Sequence, residues 1–326
     1  MDFIESKSLF DITAEYKQRL IRLANTDDVI TGISSGFYEL DAVSKGFQPA
    51  TLTIVGGVSG MGKTMFAVSL IKKMAIENRN LALFFSLKLT SERFITIILG
   101  QQTNIATEKL RIGLLDEKEK ELLHEKIEQL KDAPLEFYDY PFLRVKDIDE
   151  VLSFTNPHRF PKIVVIDSLQ LMAKNKKDKV AKVLNKKEHV KIVFELKVLA
   201  KKHQISIILL TQIQAINRKT WNKRPQYIDV NKYAPIANYA DLILLLYRPE
   251  YYKIDEWDDE ECIDTTGEAE IMIVKNTNCI LENVRVKFNG AKGEFDNLHT
   301  KGQPEQYDPN NRFSFEVPLY KDDIPF

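Results

Sequence analysis

Gly57-Val58-Ser59-Gly60-Met61-Gly62-Lys63-Thr64 has the residue types and spacing of a phosphate cradle. In a Gly-x4-Gly-Lys-Thr loop, glycines let successive backbone N–H groups turn inward around an anion, and the helix that follows adds its positive end. Gly57, Ser59, Gly60, Met61, Gly62, Lys63 and Thr64 are therefore expected to hold a nucleoside triphosphate. Lys63 would reach its β- and γ-phosphates, and the Thr64 hydroxyl would ligate Mg²⁺. The competing reading is a chance Gly-rich turn. The apolar strand before the loop and the helix after it, in the order that the chemistry requires, weigh against that.

Two further polar residues end apolar runs. Ile163-Val164-Val165-Ile166-Asp167 is a buried-strand pattern closed by a carboxylate, and Asp167 is assigned to the metal. Its alternative is a turn cap before Ser168. Ile207-Ile208-Leu209-Leu210-Thr211-Gln212 ends in an amide that would sense a γ-phosphate and inform the following loop; the alternative is an amide that satisfies loop backbone.

Positioning these groups requires a sheet. Apolar runs alternate with helical patterns from Thr51 onward, the sign of parallel strands with crossover helices. The spacing predicts strands over Thr51–Val55, Leu81–Ser86, Leu135–Tyr138, Ile163–Asp167, Ile205–Leu210, Leu242–Tyr247, Ile271–Lys275 and Val284–Phe288. It predicts helices over Lys63–Glu77, Ser91–Gln101, Glu117–Leu130 and Val180–His203. The last two strands lack a helix between them, so the fold class is α/β, a mostly parallel twisted sheet flanked by helices with an antiparallel edge. Ahead of it, Leu9, Ile12, Tyr16, Leu20 and Leu23 fall at helical spacing and give an amphipathic helix from Leu9 to Ala24. The division is a helix segment over 1–29, a core over 30–292 and an irregular polar tail over 293–326.

Composition narrows the classes. At 44% apolar and 29% charged the chain builds a core and is not globally disordered. A net charge of −1 gives no overall attraction to nucleic acid, so any such contact must be local. Lysines predominate between Lys174 and Lys202, opposed only by Asp178, Glu188 and Glu195. Lys174, Lys176, Lys177 and Lys179 suit either a phosphate-tracking loop or a solvated one. Asp255-Glu256-Trp257-Asp258-Asp259-Glu260-Glu261 is too acidic for that role and reads as an exposed loop. Cys262 and Cys279, the only cysteines, give no disulfide framework and fit a reducing compartment. No basic-then-apolar start and no membrane-length apolar run are visible, so the expectation is a cytoplasmic protein.

The chain resembles the DnaB-type replicative helicases of the RecA superfamily. Besides the phosphate loop, the resemblance rests on Gly32-Ile33-Ser34-Ser35-Gly36-Phe37-Tyr38-Glu39-Leu40-Asp41, Phe85-Ser86-Leu87 and Val165-Ile166-Asp167-Ser168-Leu169-Gln170-Leu171-Met172. It continues in Leu199-Ala200-Lys201, Thr211-Gln212, Lys223-Arg224-Pro225, Ala240-Asp241 and Leu246-Tyr247-Arg248-Pro249-Glu250-Tyr251-Tyr252. The matches run from about Ile30 to Asn289. They imply a RecA-like domain that binds ATP and Mg²⁺, assembles as a hexameric ring and draws single-stranded DNA through its centre. Lys275 stands where the family offers a lysine to the neighbouring subunit's γ-phosphate. Leu9–Ala24 stands where a linker helix docks on that neighbour; on periodicity alone, packing against its own domain is an equal reading.

Departures from the family pattern bear on catalysis. The segment before Leu9 leaves no room for the helical domain that the family carries there. Lys88 occupies the position of the water-polarising Glu, a loss on the order of 10²–10⁴ in rate. Thr277 occupies the position of the arginine finger, worth roughly 10³–10⁵ in turnover; Arg285 is nearby in sequence. Asn231-Lys232-Tyr233-Ala234 replaces Arg-Glu-Ser-Gly in the pore loop, with Lys232 adding a charge for DNA. The end of the chain, Asp322-Asp323-Ile324-Pro325-Phe326, looks like the C-terminal tip of bacterial single-stranded DNA-binding proteins and would dock a replication or repair partner. An ordinary tail is the equal alternative.

Overall fold

The computed structural model describes residues 8–24, 30–173, 186–214, 223–257, 264–277 and 281–299. Lys174, Lys176, Lys177, Lys179 and the Asp322–Phe326 tip lie outside the described residues, as do Cys262 and Cys279.

Nine strands form one sheet in the order β3-β2-β4-β5-β1-β6-β7-β8-β9. These are β1 (Leu52–Gly57), β2 (Ala82–Ser86), β3 (Leu135–Asp139), β4 (Ile163–Asp167), β5 (Ser206–Gln212), β6 (Leu242–Tyr247), β7 (Glu268–Asn276), β8 (Asn283–Asn289) and β9 (Glu294–Asn297). Strands β1 to β6 run parallel, and β7 to β9 add antiparallel pairings at one edge. Helices cover both faces of the parallel part, so β1, β2, β4 and β6 are buried at every residue and read as unbroken apolar runs. Strand β8, with one face toward solvent, alternates: Val284, Val286 and Phe288 point inward.

The helices that matter here are α1 (Leu9–Ala24), α2 (Tyr38–Ser44), α3 (Lys63–Ile71, continuing as π-helical turns through Glu77), α4 (Ser91–Thr103), α5 (Thr107–Ile112), α6 (Glu117–Leu130), α7 (Val145–Phe154), α8 (Lys186–His203) and α9 (Tyr227–Tyr233). The expected helix over Val180–His203 is seen from Lys186, where the description resumes. Helix α3 packs on β1 and β5 and also against β9, which explains why Phe66, Val68, Leu70 and Ile71 are all buried and the helix shows little amphipathy.

Two expectations change. Residues after Gly293 are not irregular from the start: β9 pairs with β8 from Asn297 to Glu294 and buries Phe295 completely. One apolar residue in four gives too short a pattern to read as a strand. Trp257, placed in an exposed acidic loop, is 3% exposed. Its indole N–H donates to Glu268 at 2.7 Å, and the guanidinium groups of Arg224 and Arg285 lie over its ring. Cation–π contact thus draws one aromatic out of an acidic run into the core. Helix α1 spans the expected residues Leu9–Ala24. Ser8 caps it through the Asp11 amide, yet Leu9, Phe10, Ile12, Tyr16 and Leu20 of its apolar stripe stay exposed.

Candidate nucleotide site

Strand β1 ends at Gly57, and the loop to α3 turns at Gly60 and Gly62, whose φ values of +88° and +86° lie in the left-handed region that favours glycine. A Cβ at Gly60 would stand 2.6 Å from the Tyr251 ring, and one at Gly62 would stand 3.0 Å from the Phe295 ring. Both glycines are therefore required by conformation and by close approach. Met61 is buried and anchors the loop, while Ser59 and Gly60 are exposed at its crest.

The Lys63 ammonium donates to the carbonyls of Gly57 at 2.8 Å and Val58 at 2.9 Å, so it lies along the inside of the loop. Burial brings it down to about 8, the Lys88 charge pushes it the same way, and Asp167 opposes. The Thr64 hydroxyl donates to Asp167 Oδ2 at 2.7 Å. Burial pushes the Asp167 carboxyl above its ordinary range, against the Thr64 hydrogen bond and the Lys88 and Lys63 charges. A hydroxyl and a carboxylate held together are hard oxygen donors that fit Mg²⁺, an ion that binds through one or two protein ligands plus phosphates. No cluster of three or more His, Cys, Asp or Glu suited to a metal occurs among the described residues.

Gln212 stands at the end of β5 in register with Gly57. Its side chain is exposed, while its backbone is clipped by a residue the sequence reading did not single out. Gln170 accepts from the Gln212 amide at 3.1 Å and donates to the Thr211 hydroxyl at 2.9 Å. The Ile213 amide then donates to the Gly57 carbonyl at 3.1 Å, so the strand end carrying Gln212 is tied to the cradle. Arg248 and Tyr251 were also missed as site residues. Arg248 donates to the Gly60 carbonyl at 3.2 Å and lies over the Phe288 ring, 3.7 Å from its centroid. The segment had drawn notice only through its resemblance to the helicase pattern and its place after an apolar strand, neither of which assigns these contacts.

Other candidates sit elsewhere. Lys275 pairs in register with Ile243, whereas the cradle lies level with Leu246. Lys275 is thus roughly 10 Å back along the sheet and two strands across from its own chain's loop. There it donates to the Ala237 carbonyl at 2.8 Å, and burial lowers its ammonium, with Lys197 adding and Asp241 opposing. Thr277 follows at that end, its amide bonded to the Asp241 carbonyl. Arg285 pairs with Glu270 across the sheet and lies over Trp257. Lys232, on α9, is exposed and pairs with Asp229 at 3.1 Å. Lys88 is exposed just past β2 and acts electrostatically on both Lys63 and Asp167.

Comparison with known proteins agrees with this geometry. The family model described as the DnaB-like helicase C terminal domain matches residues 32–297. A probable replicative DNA helicase from Trieres chinensis is 30% identical over 295 residues, 90% of this chain and 63% of that protein. The replicative DNA helicase DnaB of Geobacillus stearothermophilus is 29% identical over 304 residues, 93% of this chain and 64% of that one. The chain thus spans a little under two thirds of these relatives' length. Among solved structures, one of an isolated ATPase domain superposes with a TM-score of 0.77 at 22% identity, covering 90% of this chain and all of that one. A DnaB-like replicative helicase, studied with primase, gives a TM-score of 0.74 at 23% identity, covering 90% of this chain and 68% of that one. Both establish the RecA-like fold. No helix among the described residues is long and apolar enough to cross a membrane.

Proposed function

The chain belongs to the DnaB-like helicase C-terminal domain family, and on that premise we propose that it is an ATP-driven translocase domain that moves on single-stranded DNA during replication. The observation that carries this reading is the Gly57–Thr64 cradle with its Thr64–Asp167 contact, set at the strand ends of a RecA-like sheet. The loop amides and Lys63 bind the phosphates, Thr64 and Asp167 hold Mg²⁺, and Gln212 relays the γ-phosphate to the loop after β5. Mg²⁺ supplies charge neutralisation of the transferred phosphoryl group.

The domain works in a ring, hexameric by family. Lys275 lies too far from its own cradle to serve it, which supports service to a neighbour's. The exposed apolar stripe of α1 supports docking on that neighbour. Lys174, Lys176, Lys177, Lys179 and Lys232 track the DNA backbone through non-specific phosphate contacts. The Asp322–Phe326 tip recruits a replication or repair partner, and the setting is the cytoplasm. Unwinding of a labelled forked duplex tests the reading: strand separation that needs ATP and disappears in Lys63→Ala supports it, while none at any protein concentration counts against it.

A second reading is favoured by Lys88 and Thr277. A chain with a cation at the water-activating position and no finger arginine binds ATP, turns it over slowly and serves as an ATP-gated assembly factor. DNA-independent nucleotide binding without turnover would favour it.

A further inference from the structure

Lys88 is held close enough to the cradle for its charge to act on both Lys63 and Asp167. Strand β2 ends at Ser86, which pairs in register with Asp167. The next amide, that of Leu87, donates to the Asp167 carbonyl at 2.8 Å. The Ser86 hydroxyl then closes a tight turn: it accepts from the Leu89 amide at 2.8 Å, donates to the Leu89 carbonyl at 2.7 Å and receives the Lys88 amide at 3.4 Å. The backbone of Lys88 is thereby fixed two residues past a strand whose neighbour carries Asp167. Asp167 in turn holds Thr64, the residue after Lys63. Thr90 caps α4 immediately afterwards, so another helix N-terminus opens beside the turn.

The charge balance at this point is uneven. Lys63 and Lys88 are two cations, and the carboxylate facing them, Asp167, already accepts the Thr64 hydroxyl. Among the described residues no carboxylate forms an ion pair with Lys88, although it is exposed on a flexible stem. Two like charges beside an inward-facing loop are unfavourable when the loop is empty and are relieved by a multiply charged anion. A diphosphate brings enough charge for Lys63 and the loop amides. A second cation, set across from Lys63 toward β2, has work only if a further phosphate extends past the cradle.

We propose that Lys88 is a γ-phosphate ligand supplied within the same chain, and that it makes this site select nucleoside triphosphate over diphosphate without help from a neighbouring subunit. The inference rests on the nucleotide site proposed above and deepens it. The position that would otherwise activate water instead grips the terminal phosphate. The consequence is a site that holds ATP tightly and releases ADP readily.

The test compares Mg·ATPγS and Mg·ADP affinities by calorimetry for wild type, Lys88→Ala and Lys88→Arg. A charge-assisted phosphate contact is worth roughly 10- to 100-fold in Kd. Lys88→Ala is expected to weaken Mg·ATPγS by that factor and to leave Mg·ADP within about twofold, and Lys88→Arg should keep most of the discrimination. Equal weakening of both nucleotides, or no change in either, overturns the inference while leaving the nucleotide site standing. Failure of wild type to bind either nucleotide overturns the site itself, and this inference with it. Because Lys88 is exposed, the variants should melt with wild type, which separates a lost contact from a lost fold.

Discussion

Replacing Phe295 with alanine tests whether the last described strand belongs to the nucleotide-binding core. Its ring is fully buried. It meets Phe66 of α3 edge-on at 5.4 Å and Phe288 of β8 at 4.8 Å between centroids, and it lies directly under Gly62. Around it the strand is fastened to the same helix: the Phe295 amide donates to the Ser69 hydroxyl at 3.0 Å, and Glu294 and Asp296 each meet a lysine, Lys72 and Lys73, at 2.7 Å. Both lysines are largely buried, and Glu294 is too, so the Lys72–Glu294 pair is better shielded from water than a surface one, while Asp296 stays half exposed. Truncating a buried Phe to Ala costs about 3–5 kcal/mol through lost transfer energy and the cavity left behind. At about 2–4 °C per kcal/mol for a body of this size, the midpoint should fall by roughly 6–20 °C. The cavity opens against the loop that turns at Gly62, so nucleotide affinity should drop as well. Thermal unfolding by circular dichroism, with and without Mg·ATP, reads both effects. A melting point within about 2 °C of wild type would refute the packing of β9 on α3 and leave the segment after Gly293 as the irregular tail that its composition suggests.

Lys63 makes ATP affinity depend on pH. Burial lowers its ammonium to about 8, and a bound phosphate favours the charged form. Affinity should stay flat below pH 8 and weaken by up to about tenfold per unit above it; an unchanged Kd up to pH 9.5 would contradict this. The same depression means that the folded state binds fewer protons than the unfolded one, so the Lys63 contribution to stability rises with pH from about 8 toward the unfolded lysine value. Asp167→Asn should separate stability from binding. Burial raises the folded Asp167 pKa, so the stability tied to its protonated form is lost as pH rises through that value, and at neutral pH its charge weakens the fold. The variant should melt at or above wild type, yet lose the Mg²⁺ dependence of its ATP affinity, which titration calorimetry at varied Mg²⁺ would show. Loss of stability instead would mean that the carboxylate acts mainly through its Thr64 hydrogen bond.

The parallel sheet was legible because strands buried on both faces write unbroken apolar runs. Ile163–Asp167 and Leu242–Tyr247 were placed to the residue for that reason. The helix Glu117–Leu130 was equally plain from its spacing, and the structure adds a capping box of Asp116 and Glu119 at its start. Short helices escaped: α2, α5 and α9 have six or seven residues, too few for a 3.6-residue period to repeat. The cradle was readable because its chemistry demands contiguous residues. What surrounds it was not, because Gln170, Arg248 with Tyr251, and Phe295 reach it from three separate segments, and nothing local marks a side chain that acts at a distance. The position of Lys275 required the register of β6 with β7 to show that it lies back along the sheet from its own loop.

The measurement that most directly tests the central claim is steady-state ATP hydrolysis by the purified protein, with and without single-stranded DNA and with Lys63→Ala as control. The account predicts turnover that rises with single-stranded DNA and vanishes in the variant, at a rate lowered by the cation at position 88. Turnover that survives in Lys63→Ala, or that ignores DNA at every concentration, would contradict an ATP-driven translocase.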